Sequence, residues 1–238
     1  MSQTILHSNS SRGEVNLGWL HSRHTFSFGN YYNPERIHFG MLRVLNDDTV
    51  QPAMGFGTHP HDNMEIVSIP LEGDLQHQDS MGNVSVIRQG DIQVMSAGSG
   101  ITHSEKNFSS HQPVKFLQIW VFPNQRNVAP RYDQLTLNPL DRINKWQQIL
   151  SPDPNDEGVW IHQDAWFSIG KFDREHQLPY ILHHEGNGVY AFVLNGSCII
   201  ESIPLEMRDG LGIWDTKTIT FTSTSPQTEV LLMEVPMH

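Results

Sequence analysis

A glycine-ended apolar segment occurs twice in this chain, and the repeat constrains the fold more than any single element does. Pro70-Leu-Glu-Gly73 followed by Gln89-Gly90-Asp91-Ile-Gln-Val-Met has a counterpart in Val193-Leu-Asn-Gly196 followed by Asp209-Gly210-Leu-Gly-Ile-Trp. The offset is 123 residues for the first glycine and 120 for the second. This reads as an internal duplication, the alternative being a chance likeness between glycine-ended strands. At 238 residues the chain is long enough for two small domains. The expected division is an N-terminal barrel over residues 1–130, a linker with a short helix over 131–158, and a C-terminal barrel over 159–238.

The apolar segments are short, rich in β-branched and aromatic residues, and bounded by Gly, Asn or Asp, so each half reads as mainly β. Predicted strands are Phe39 to Leu45, Met64 to Leu71, Val84 to Ile87, Ile92 to Met95, Lys115 to Phe122, Val159 to Phe172, Val189 to Leu194, Ser197 to Ser202, Ile219 to Thr222 and Glu229 to Val235. Asn195-Gly196 reads as a type I′ hairpin turn. Only Asp141 to Ile149 has a helical pattern, and the polar stretch Ser151 to Gly158 suits a linker.

Charge and cysteine content narrow the function. Acidic residues number 26 against 15 basic ones, and a formal charge of -11 repels a phosphate backbone, so no direct nucleic-acid partner is expected. No apolar run is long enough for a membrane helix and the start Met1-Ser2-Gln3-Thr4 lacks signal-peptide order, from which a cytoplasmic protein is expected. With one cysteine, Cys198, a metal site must use His and carboxylates.

The 14 histidines matter where they cluster. In His59-Pro60-His61 the two imidazoles share one face of an extended segment, and His103-Ser104-Glu105 repeats that spacing with a carboxylate. If the two segments pair, three imidazoles and a carboxylate converge, a donor set suited to one divalent transition metal such as Fe, Ni, Cu or Zn. Flanking glycines (Gly55, Gly57, Gly90, Gly98, Gly100) suit the tight turns of a barrel mouth. Glu65, four residues after His61, falls on the same face unless a bulge intervenes, and is placed behind the imidazoles as an orienting partner. Asn107 and His77 are weaker candidates for that role, and His77 reads better as an exposed hairpin residue. Counting from the repeated glycines puts His59, His61 and Glu65 onto Leu182, His184 and Gly188, and His103 and Glu105 onto Ser223 and Ser225. The second barrel is therefore expected to hold no metal. His183-His184-Glu185 is not a site, because neighbours on a strand face opposite ways. His24, Trp19, Trp120, Trp160, Trp166 and Trp214 read as structural, whereas Phe26, Phe28, Met41 and Met95 are candidates to line an apolar pocket, with barrel core as the alternative for each.

At this point the chain resembles the cupin superfamily and, within it, the pirin family, closest to the bacterial pirin-like quercetin 2,3-dioxygenases. The resemblance rests on His24-Thr-Phe-Ser-Phe-Gly-Asn-Tyr-Tyr32, Leu42-Arg-Val-Leu-Asn-Asp-Asp48, Gly55-Phe-Gly-Thr-His-Pro-His61, the run Gly90 to Glu105, and Gln118-Ile-Trp-Val. It implies an all-β bicupin, two jelly-roll-like barrels in tandem with few short helices, and one mononuclear metal in the N-terminal barrel. The pirin ligands fall on His59, His61, His103 and Glu105. Gly98 departs from the usual cupin pattern, and Glu65 matches the glutamate that ligates in many cupins. Coordination by Glu65 or Glu105 therefore stays open, with the His-Ser-Glu triplet favouring Glu105.

The implied activity is dioxygenolytic opening of the heterocycle of flavonols such as quercetin, with release of carbon monoxide. Fe(II) is the expected ion, with Zn, Ni, Cu, Mn or Co as alternatives, and Glu105 is the candidate base as well as ligand. The implied partners are a flat aromatic substrate and dioxygen. The alternative reading is a metal-containing interaction or regulatory protein of pirin type, with a protein partner and no physiological flavonol turnover.

Overall fold

The computed structural model describes residues 2–238. The architecture is two sandwiches, each a seven-stranded sheet facing smaller ones. In the N-terminal half the large sheet runs β12 (Arg131–Thr136), β9 (Asp91–Ser96), β6 (Glu65–Glu72), β11 (Val114–Val121), β4 (Leu42–Val50), β3 (Leu20–His24), β2 (Gly13–Asn16). Facing it is β5 (Gly55–His61), β10 (Ile101–Asn107), β7 (Leu75–Asp79), β8 (Val84–Ile87). In the C-terminal half the large sheet runs β1 (Gln3–His7), β20 (Gly210–Trp214), β17 (Asn187–Asn195), β23 (Thr228–Pro236), β15 (Trp166–Phe172), β13 (Trp146–Ser151), β14 (Val159–Trp160). Opposite lie β19 (Ile203–Leu205), β18 (Cys198–Ile200), β22 (Phe221–Ser223) and the pair β16 (Tyr180–Ile181), β21 (Thr218–Ile219). Neither half closes into a continuous hydrogen-bonded barrel, but the layers are those of a jelly roll.

The large sheets pack back to back. Along β11, Leu117, Ile119 and Val121 enter an apolar layer shared with Phe167, Ile169, Phe192 and Leu231 of the other half. Phe116, Gln118 and Trp120 alternate with them and turn into the N-terminal sandwich, as a pleated strand requires. Every residue of β6 from Glu65 to Pro70 is buried, because one face meets the shared layer and the other the sandwich interior. The halves also exchange edges: β1 begins the chain yet pairs with β20, and β12, between the halves, pairs with β9.

Several sequence expectations change here. No helix forms over 141–149: Pro139–Arg142 make one 3₁₀ turn capped by Asn138, and Trp146–Ser151 join β15 as a strand. The span Val159 to Phe172 breaks into β14 and β15. Asn195-Gly196 is not a hairpin. Gly196 alone has positive φ, at 73°, and the chain crosses there from the large sheet to the small one. A Cβ at Gly196 would meet Ser225 Oγ, so the corner needs glycine for space as well as φ. Gly73, φ 74°, turns the equivalent corner between β6 and β7.

The duplication is real at the level of strand register. The two large sheets share one strand order. Ser68 lies opposite Gln118 in β6–β11, and Ala191 opposite Leu232 in β17–β23. Both ladders slip just before the corner glycine, at Lys115/Phe116 and at Val193/Asn195. One strand further on, Asn46 opposite Gln118 matches Ser168 opposite Leu232, and Asp48 opposite Phe116 matches Gly170 opposite Val230. The second turn of the repeat needs realignment. Asp91 Oδ2 accepts the Arg88 amide and Asp209 Oδ2 accepts the Glu206 amide, each at 2.9 Å. The partner of Asp91 is thus Asp209, and that of Gly90 is Arg208, which shares its positive φ.

Candidate metal centre

The two His doublets meet through an antiparallel ladder. β10 pairs with β5 so that His103 stands opposite His59 and Ile101 opposite His61, with the register slipping between His103 and Glu105. On its other edge β10 pairs with β7, placing His103 opposite Asp79 and Glu105 opposite His77. Directly opposed residues share a face. The ring centroids of His59, His61 and His103 accordingly lie 4.5 to 4.9 Å from one another. One donor atom from each lies within 4.8 Å of the other two.

The lone pairs are aimed inward. His59 Nδ1 donates to the Gly57 carbonyl at 2.7 Å, which leaves Nε2 free for coordination. Asp79 accepts from the Met81 and Asn83 amides and from Asn83 Nδ2, and it faces His77 Nε2 at 3.2 Å. His77 then donates to Asp79, and its Nδ1 faces His103 Nδ1 at 3.5 Å. A proton on His103 Nδ1 serves that contact, so His103 Nε2 carries a lone pair; it is buried and has no hydrogen-bond partner. Burial and then the neighbouring His59 push His61 down to about 4, and burial with His59, His61 and His77 pushes His103 down to about 2. Both imidazoles are neutral near pH 7, the form that binds metal. An orphaned, neutral His103 Nε2 beside two further imidazoles fits a divalent transition metal.

Glu105 groups with His103 and His77 rather than with His59 and His61. Burial raises its pKa, against the opposing pull of Gln118, His77 and Ser68. Gln118 Nε2 donates to both carboxylate oxygens, at 3.0 and 2.9 Å, and Ser68 Oγ donates to Oε1 at 3.2 Å. A carboxylate oxygen of Glu105 lies within ligand reach of His103 and His77.

Two expectations are corrected. Glu65 does not stand behind the imidazoles. The chain turns at Asp62 to Met64, β6 joins a different sheet from β5, and Glu65 takes the Ser96 hydroxyl at 2.6 Å and feels the charge of Arg131. His77 is no exposed hairpin residue: it is fully buried, with its ring 4.8 Å from that of Tyr132. Asn107 caps the loop after β10 by bonding Val50 and Gln112 carbonyls, away from the imidazoles.

Above the cluster opens a pocket of about 370 Å³, counting space open to solvent. Phe28, Phe56 and Trp120 give it aromatic walls, and Asn46, Asp48 and Gln118 line it beside the three imidazoles and Glu105. Trp120 sits edge-on to His61 at 4.9 Å and to Phe28 at 5.3 Å. Sequence reasoning offered Phe28 as a lining candidate, with barrel core as the alternative, assigned Trp120 to packing and did not single out Asn46, Asp48 or Gln118. The available signal was polar: Asn-Asp-Asp inside the strand Leu42–Val50 goes against strand composition.

The C-terminal half has none of this. Ladder register places His59, His103 and Glu105 on Tyr180, Ile219 and Phe221, and His77 on Ile200. The positions counted from the glycines, Ser223 and Ser225, were wrong because loop lengths differ between the halves. Among the described residues both potential metal groups lie in the N-terminal half. His183 and His184 instead serve Glu234, a buried carboxylate that accepts both their amides, the His183 ring, Tyr180 Oη and Asn187 Nδ2.

Comparison with known proteins follows the same division. The family model Pirin matches residues 6–121, and the model described as quercetinase C-terminal cupin domain matches residues 148–235. The chain is 41% identical over 235 residues to a protein of Escherichia coli O157:H7 named quercetin 2,3-dioxygenase, covering 97% of this chain and 98% of that one. The crystal structure of YhhW from Escherichia coli matches with a TM-score of 0.93 at 40% identity over 98% of each chain. The structure of that bacterial pirin in complex with nickel(II) matches with a TM-score of 0.93 at 39% identity, covering 98% of this chain and 99% of that one.

Proposed function

The chain belongs to the pirin family, and from that premise we propose that it is a metal-dependent dioxygenase that opens the heterocycle of quercetin-type flavonols with dioxygen and releases carbon monoxide. The observation that carries this reading is the group His59, His61 and His103, which shares His103 with a second group containing Glu105, in a pocket walled by aromatic rings that all four residues line. We assign these four side chains as the metal ligands and Fe(II) as the working ion. A divalent ion there supplies Lewis acidity to the flavonol hydroxyl.

The protein's own groups do the rest. Phe28, Phe56 and Trp120 clamp a flat ring system and keep water from its faces. Glu105 takes the proton of the flavonol 3-hydroxyl onto a carboxylate oxygen. Gln118 and Ser68 hold that carboxylate in place, and the pair Asp79–His77 fixes the ring of His103.

The test is to strip the protein of metal, reload it anaerobically with Fe(II) or with Zn(II), and admit oxygen and quercetin while following flavonol absorbance and carbon monoxide. Carbon monoxide is expected with iron and not with zinc. No turnover at stoichiometric iron overturns the assignment and turns attention to metal-dependent protein partners.

A further inference from the structure

We propose that Asn46, Asp48 and Gln118 form a row of hydrogen-bond acceptors that selects ligands by their phenolic hydroxyls, over and above the hydroxyl at the metal centre. The inference rests on the flavonol reading of the site and names the feature of the substrate that the pocket reads.

Three buried oxygens line one pocket without a donor. Asn46 Oδ1, Asp48 Oδ1 and Gln118 Oε1 all lack a hydrogen-bond partner, in residues that are 2%, 4% and 7% exposed. The orientation of the Gln118 amide is set by chemistry. Its Nε2 donates to both oxygens of Glu105, which leaves the carbonyl oxygen as the end facing away from the carboxylate. Asn46 lies directly across the ladder from Gln118, and Asp48 is two residues further along β4 on the same face. The row therefore runs continuously from Glu105 across the sheet. Buried acceptors without donors destabilise a fold, so each calls for an explanation.

The second half of the molecule shows that the fold does not need these groups. The same register positions there hold Ser168, Gly170 and Leu232. A Cβ on Gly170 would overlap the Phe172 ring, so packed aromatic carbon occupies the space that Asp48 leaves open. Water can serve the row while the pocket is open to solvent, and a ligand that displaces that water must replace its hydrogen bonds. For Asn46 Oδ1 and Gln118 Oε1 it must bring donors, at least two of them, on a body flat and apolar enough for Phe28, Phe56 and Trp120. A polyhydroxylated aromatic ring has that chemistry. A pocket built around substrate hydroxyls rejects the analogue that lacks them, because its polar groups are then left unpaired.

The experiment is an anaerobic titration of the Ni(II)-loaded full chain, without turnover, using quercetin and 3-hydroxyflavone, which keeps only the hydroxyl at the metal centre. Binding is read from flavonol absorbance and tryptophan quenching. The native chain is expected to bind quercetin at least about tenfold more tightly. In Asp48→Leu and, separately, Asn46→Leu the ratio between the two ligands is expected to fall toward one, with nickel content unchanged. Equal affinity of the native chain for both flavonols overturns this inference and leaves the flavonol reading standing. Failure of both to bind at full nickel occupancy overturns that reading and this one with it. The native-chain series needs no variant, so a variant that fails to fold does not decide the outcome.

Discussion

The two halves of this molecule share strand order and register and differ in what fills them. In the C-terminal sandwich fourteen buried residues, including Ile200, Ile219, Phe221, Val230 and Leu232, form one continuous interior cluster. In the N-terminal sandwich the equivalent interior is split into clusters of six and four, with the pocket between them. Filling the interior forecloses chemistry, whereas leaving it hollow and polar gives up packing energy. Each fully buried aliphatic or aromatic side chain stabilises by roughly 1.5–3 kcal/mol. The shared apolar layer between the large sheets offsets that loss, so the solid half acts as a buttress for the hollow one.

The buried carboxylates show the same contrast. For Glu234 burial works to raise the pKa, but donors from His183, His184 and Tyr180 outweigh it and hold the group below its ordinary 4.5. Asp48, with far fewer partners, is pushed up by burial to about 7. One charge is built into the structure and the other is tolerated by it.

The sharpest way to break the comparison is at the metal. His103→Ala should abolish binding of a divalent ion, from near one per chain to none, whereas His184→Ala should leave it intact because only the His184 amide serves Glu234. Metal analysis after dialysis checks this, and metal loss in the His184 variant would contradict a single site. Next comes Glu234→Gln, expected to cost about 3 kcal/mol near pH 7 by leaving charge-tuned donors mismatched. Because the folded pKa is depressed, the stabilisation is present above about 4.5 and is lost as pH falls through the folded value, so the difference should shrink in acid.

Asp48→Asn should do the reverse in metal-free protein and stabilise it by about 2 kcal/mol near neutrality. The folded pKa is raised, so the native carboxylate costs stability increasingly from its ordinary 3.8 up to about 7. The advantage of the variant should therefore open over that window and level off above it, as denaturant titrations at several pH values would show. The smallest expected effect is Asp79→Asn, which weakens the partner of His77 and should lower metal affinity about tenfold without abolishing it. An unchanged affinity would make the Asp79–His77–His103 chain mere packing.

Much of the site was legible in the amino-acid sequence. His59, His61, His103 and Glu105 were visible because period-two spacing on a strand puts alternate side chains on one face wherever the strand lies. The all-β class and the duplication were visible for the same reason, since turn residues and β-branched segments act locally. Glu65 and His77 were misplaced because their positions depend on which sheet each strand joins. Three residues of turn, Asp62 to Met64, carry Glu65 out of the sheet of His61, and only the pairing of β7 with β10 brings His77 beneath His103.

Local periodicity thus determined the imidazole and carboxylate pairs and the doubled β architecture from the sequence alone. Tertiary structure decided that β10 lies between β5 and β7, that the acceptor row crosses two strands far apart in the chain, and that only one of two like sandwiches is hollow. The physical reason is range: side-chain alternation is set within a few residues, whereas ladder partners and packing volume are set by segments roughly 20 to 120 residues away, whose loops are free to vary in length.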